Sequence, residues 1–213
     1  MGLSSYSDLK DSICSWLGRP GDPLIPTGDL IALFEADASR QLRTHYQEIS
    51  YNITTVNGTD TYALPDDFLA PRELSIATAK PLVVLDYLPP TQLDDTWIWN
   101  NAAQPFNYTI EGSNVRFGPT PGGVYTIRVE YWQAIPALSD DNASNWLLAQ
   151  FPDAYLWGSL AEAELFLGAD NSVQRFQLFV QRREAAYAGI KIQDQRYRLG
   201  GAALTMRTDT GNP

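Results

Sequence analysis

The sequence predicts an α+β fold: an α-helical bundle from the N- and C-terminal segments, an inserted antiparallel β domain and an extended C-terminal tail. Three observations lead there. Apolar residues recur at helical intervals up to about residue 47 and again after residue 146, and alternate with polar ones in between. The alternating stretch is punctuated by turn pairs such as Asn57-Gly58 and Gly112-Ser113. Gly200-Gly201 then ends a long amphipathic run, and the remaining C-terminal residues are too few and too polar to bury a core alone. The reading places the bundle at residues 1–47 with 146–197 and the β domain at 48–135. It leaves 136–145 as a linker and 198–213 as a docking tail.

Each element has a local reason. Ser5 and Asp8 stand in capping-box spacing, and Tyr6, Leu9, Ile13, Trp16 and Leu17 repeat at helical intervals until Gly18. After a Gly/Pro-rich loop, a second helix is expected over about 29–46, with Leu30, Leu33, Phe34, Ala38, Leu42 and Tyr46 on one side. Its acids lie early and its bases late, as the helix dipole favours. From Ile49 the period becomes two: Ile49, Tyr51 and Ile53 share a face, and Asn57-Gly58 predicts a hairpin returning through Thr61–Leu64. Arg72–Ala79 pairs with Leu82–Leu88 around Lys80-Pro81, and Pro89-Pro90-Thr91 opens a short helix to about Asp95. Phe106–Glu111 and Asn114–Phe117 pair across Gly112-Ser113. After a wide turn, Val124–Trp132 is the longest strand, with Tyr125, Ile127, Val129 and Tyr131 on one face. Pro152-Asp153 starts a helix that Gly168 stops, and Asp170 or Ser172 caps another over about 173–196. Leu156, Leu160, Phe176 and Val180 are the expected core between these last two helices.

Composition narrows the function. Twelve per cent aromatics with six Trp in 213 residues marks a folded chain, long enough for a substantial core. The net charge of −10 is uneven: residues 1–171 carry 8 basic and 22 acidic side chains, residues 172–213 carry 7 and 3. Such an acidic body is a poor general nucleic-acid binder, because phosphate affinity rests on Lys and Arg displacing counterions. A single cysteine, Cys14, excludes an internal disulfide and fits synthesis in a reducing cytoplasm. Four N-x-[ST] sequons begin at Asn52, Asn57, Asn107 and Asn142, but Met1 to Ser12 lacks the apolar core of a signal peptide. No run of eighteen apolar residues predicts a membrane span.

The search for chemistry is largely negative, and no metal or cofactor is expected. One histidine and one cysteine cannot make a His/Cys metal cluster, and the nucleotide-binding and nucleophile-elbow motifs are absent. His45, late on a helix beside basic residues, reads as a surface or packing residue. The pairs Asp66-Asp67, Asp94-Asp95 and Asp140-Asp141 could ligate Mg²⁺ if brought together, but each lies where Asp caps a turn or helix start. Trp97, Trp99, Tyr125, Tyr131 and Trp132 could form a sugar-binding platform, or fill a small sheet's core or a subunit interface.

Two ordered blocks carry more information. Residues 131–168 run from a tyrosine-rich strand through Ile135-Pro136-Ala137-Leu138-Ser139-Asp140 and Asn145-Trp146-Leu147-Leu148 to Pro152-Asp153-Ala154-Tyr155-Leu156-Trp157-Gly158, before a long basic helix. Tyr62-Ala63-Leu64-Pro65-Asp66-Asp67-Phe68 supplies a "Y-x-LP-x-DF" block. Together these resemble the head-to-tail adaptor (connector) proteins of tailed bacteriophages, of the podophage type that forms a ring below the portal. The resemblance spans roughly residues 5 to 200. It implies a non-enzymatic virion subunit, closed with copies of itself into a usually twelve-fold ring, between portal protein and tail or nozzle protein. DNA would pass through that ring without specific binding. Adaptors of this kind commonly extend a terminal arm into the portal, which points to Arg196, Arg198, Leu199, Leu204, Met206 and Arg207 as partner-binding residues. A tail accessory protein with a carbohydrate- or receptor-binding β domain stands as the alternative, and a metal-dependent hydrolase as a third.

Overall fold

The computed structural model describes residues 2–79, 81–97, 102–168 and 172–200. It is α+β, and its contacts separate two compact units. One comprises the chain up to His45 together with the chain from Ile135 onward; the other is Tyr46–Ala134.

The helical unit begins with α1 (Tyr6–Trp16), capped as its sequence predicts: the Ser5 hydroxyl accepts from the Asp8 N–H at 3.1 Å. Helix α2 (Thr27–Gln41) stops five residues earlier than expected, because Leu42 is extended. The Arg43 guanidinium donates to the carbonyls of Ser39 and Leu42 there, satisfying groups a further turn would have used. Tyr46 therefore lies off the helix, in the 3-10 turn His45–Gln47. The buried face of α2 is Leu30, Ile31, Phe34 and Ala38, whereas Leu33, expected among them, is 56% exposed. A short α4 (Trp146–Gln150), capped by the Asn145 side chain, precedes the next helix. Helix α5 (Pro152–Leu167) ends at Gly168 in the left-handed conformation its sequence predicts, and α6 runs Ser172–Gly200.

At the centre of this unit Phe34 meets Tyr155 edge-on and stacks on Tyr187. Gly158 is required beside it, since a Cβ there would overlap the Phe34 ring. Leu156 and Leu160 are buried as expected, but on α6 it is Phe179, Tyr187 and Ile190 that are buried. Phe176 and Val180 are only partly so, near the α5–α6 connection. Residues 136–145, read as a linker, carry Leu138 into this same core.

In the β unit, β1 (Glu48–Thr54), β3 (Phe68–Ile76), β4 (Val83–Val84) and β8 (Thr126–Gln133) form one sheet in the order β1-β8-β3-β4. A second contains β2 (Thr61–Ala63), β5 (Asp86–Tyr87), β6 (Asn107–Glu111) and β7 (Asn114–Gly118) in the order β2-β7-β6-β5. The expected β1–β2 hairpin does not form. Gly58 does adopt positive φ, and Thr59 N–H closes a turn on the Val56 carbonyl, but the strands on either side join different sheets. The Arg72–Leu88 pair shrinks to two register positions, Ser75↔Val84 and Ile76↔Val83, because Asp86–Tyr87 leaves to pair with β6, in parallel. The β6–β7 hairpin across Gly112 stands, and the short helix is α3 (Pro90–Thr96). The longest strand is β3, not β8, extended by irregular register at Phe68/Ala70 and Pro71/Glu73. Ile127, Val129 and Tyr131 do face the core; of the β1 residues expected with them, Ile53 is buried while Ile49 and Tyr51 are exposed on this edge strand.

Candidate functional site

The two sequence blocks turn out to be joints. In the first, the Glu35 carboxylate on α2 accepts from the Leu138 N–H at 2.9 Å and from the Tyr155 hydroxyl at 2.8 Å. Asn145 donates to that hydroxyl at 2.5 Å and to the Pro136 carbonyl at 2.7 Å, while its carbonyl oxygen caps α4 through the Leu148 N–H at 2.9 Å. Ser39 accepts from the Ile135 N–H at 3.1 Å. One buried acid thus ties together three stretches of chain. Burial raises the Glu35 carboxyl above the ordinary glutamate range, against its two hydrogen bonds. Burial, then the neighbouring Glu35 charge, raises the Tyr155 phenol.

In the second block, the Tyr62 hydroxyl accepts from the Val56 N–H at 2.8 Å and donates to the Thr59 carbonyl at 2.9 Å, holding the turn at Gly58. Leu64 is buried in the β core. Asp67 accepts from the Tyr131 hydroxyl at 2.9 Å and Gln133 Nε2 at 2.6 Å, and Phe68 stacks on Tyr131 at 5.3 Å. Desolvation and the Asp67 carboxylate push the Tyr131 phenol up to about 12.

Each acidic pair has a member held by a protein side chain. Asp67 is held by Tyr131 and Gln133, Asp94 by Arg116 at 2.9 Å, and Asp140 by Lys10 at 3.1 Å. Among the described residues no three His, Cys, Asp or Glu side chains are grouped to hold a metal ion, and no helix is long and apolar enough to cross a membrane. Trp97 donates to Asn107 at 3.2 Å and covers Gly118, Tyr131 is buried, and Trp99 lies outside the described residues. On the sheet face, Glu48 pairs with Arg72 and Glu130 with Arg128.

Of the residues expected to bind a partner, Arg196, Arg198 and Leu199 lie on the last turns of α6. Arg198 and Leu199 therefore belong to a helix, where the sequence predicts a tail from residue 198. Leu204, Met206 and Arg207 lie outside the described residues. Arg198 Nε donates to Asp194 at 2.7 Å, and the other Asp194 oxygen meets both the His45 backbone N–H and its Nδ1 at 2.7 Å. Partial burial opposes it, but these bonds from Arg198 and His45 hold the Asp194 carboxyl below the usual aspartate range. Tyr197 stacks on the His45 ring at 3.8 Å, and Leu199 is 70% exposed. His45 is thus a clamp on the end of α6. The joining roles of Glu35, Asn145 and Asp194 are not legible in the sequence reading. Their only sequence signal is an acid or amide on an otherwise apolar helix face or just before a helix.

This arrangement joins separated segments of the chain. A family model described as SU10 adaptor protein matches residues 4–207. No curated protein matches the chain. The chain belongs to the SU10 adaptor protein family, a family of phage head-to-tail adaptors.

Proposed function

For a chain of that family, we propose a structural and non-catalytic role in the phage virion: a ring of copies that joins the portal to the tail or nozzle protein and lines the DNA exit channel. The observation that carries the reading is the family match over nearly the whole chain, with both of its sequence blocks built into packing joints. Head-to-tail association closes into a ring only when each subunit carries two unlike complementary faces. An acid-rich body with a basic C-terminal region supplies unlike surfaces. An acidic channel wall repels DNA and lets it pass without sticking. The last turns of α6, with Arg196, Arg198 and Leu199, precede Leu204, Met206 and Arg207 in the chain as the arm that contacts the portal. Twelve copies are the number this reading expects. Cryo-electron microscopy of the virion tests it. A ring of this chain beneath the portal is the expected result, and its absence from that position would overturn the reading.

A further inference from the structure

Helix α6 buries one face, through Phe179, Tyr187 and Ile190, and the opposite face carries a second apolar pattern that stays largely exposed among the described residues. Leu178, Ala185 and Ile192 recur every seven residues, with Leu178 48% and Ile192 49% exposed and Ala185 exposed between them. A seven-residue repeat is the spacing with which one helix keeps a seam against a neighbour. Arg182 and Lys191 border the seam on its two sides. At 1.5 Å rise per residue the stretch from Leu178 to Ile192 is about 21 Å long.

The same unit carries a surface of opposite character. A groove of about 560 Å³ runs along α1, with Leu3, Trp16 and Leu156 as its apolar lining and Asp8, Asp11 and Ser15 as its polar edge. Trp16 is 52% exposed although it meets Trp157 edge-on. From Tyr6 to Trp16 the helical rise gives about 15 Å, and Leu3 lines the groove beyond the start of the helix.

We propose that the outer face of α6, at Leu178, Ala185 and Ile192, docks in the α1 groove of a second copy of this chain. Arg182 and Lys191 then meet the rim of Asp8 and Asp11. Two seams facing each other would set Arg182 and Lys191 against their own copies, so charge favours the unlike, head-to-tail pairing over a two-fold one. The inference rests on the ring reading and deepens it, by naming the two complementary faces.

The full-length chain provides the test. One variant, Leu178→Asp with Ile192→Asp, disables the seam; another, Asp11→Lys with Ser15→Arg, disables the groove. All four positions avoid the buried core. By sedimentation, wild type forms larger species, and each variant alone loses about tenfold or more in association, as removal of interface anchors does. An equimolar mixture of the two forms a discrete dimer, since one copy still offers a seam and the other a groove. In a Cys14→Ala background, Ser15→Cys mixed with Ala185→Cys oxidises to the heterodimer in preference to either homodimer. If wild type assembles but both variants assemble equally well and no heterodimer is enriched, the docking is wrong and the ring stands. If the heterodimer forms while wild type never exceeds a dimer, the docking stands and the closed ring falls. If wild type stays monomeric and no heterodimer forms, both are overturned.

Discussion

In the helical unit, the residues that meet in the core come from elements whose borders the local sequence announces, and only the exact face varies. In the β unit, the strands are as easy to see, yet their partners lie far along the chain. β1 pairs with β8 across more than 70 residues, as in Ile53↔Ile127, while its neighbour in sequence, β2, pairs with β7 in the other sheet. The difference is one of period and reach. A helix satisfies its backbone within four residues, so its existence is a local matter and its packing face follows from a 3.6-residue period. A strand satisfies its backbone only through another strand, so its partner is chosen by the whole unit. The buried polar joints follow the same division. Glu35, Tyr155 and Asn145 link helical segments around a buried core, whereas Asp67, Tyr131 and Gln133 fasten the end of one sheet.

Truncation in the helical core should give the largest effect. Leu160 is fully buried, and Leu160→Ala should cost about 2–5 kcal/mol from lost burial and the cavity left behind. The shift of the urea midpoint measures it, and an unchanged midpoint would break the picture of one core shared by the unit's separated segments.

The joint at Glu35 should come next. Glu35→Ala leaves the Leu138 N–H and the Tyr155 hydroxyl buried without their acceptor, at about 1–3 kcal/mol. Its pH dependence has a defined sign. Because the folded carboxyl is raised above its unfolded value near 4.5, its contribution is fully present below pH 4.5 and declines as the pH rises through the folded value. Urea midpoints of Glu35→Gln and wild type across that range should converge in the acid and separate above it, with wild type losing more. Parallel profiles would show that Glu35 titrates as in the unfolded chain.

In the β unit, adjacent acids should separate cleanly. Asp67→Ala removes the acceptor of Tyr131 and Gln133 and should cost about 1–2 kcal/mol, while exposed Asp66→Ala should be near neutral. Equal losses at the two positions would mean that the block works as an acidic patch, and metal-dependent cleavage of DNA or glycan lost in the double variant would return the hydrolase reading. The smallest effect is expected at Leu33→Ala, within about 0.5 kcal/mol because the side chain is largely exposed. A large loss there would restore the face of α2 that its spacing alone implies.

The sequence by itself determined where this chain is helical and where it is extended, and where several elements begin and stop. Ser5 caps α1, Pro152 opens α5, Gly168 ends it in a left-handed turn, and Gly112 turns the β6–β7 hairpin, all through interactions within a few residues. It also carried the match to the family over residues 4–207. Tertiary structure alone decided that Asn57-Gly58 separates two sheets and joins no hairpin. It decided that Leu33, Ile49 and Tyr51 face outward while Phe179 faces in, and that Asp194 reaches back to His45 across the length of the chain. Capping and turn chemistry act over one turn of backbone and leave a mark in adjacent residues. Strand partners, burial and long-range ion pairs depend on which surfaces meet in space, and a side chain's own neighbours in sequence do not hold that information.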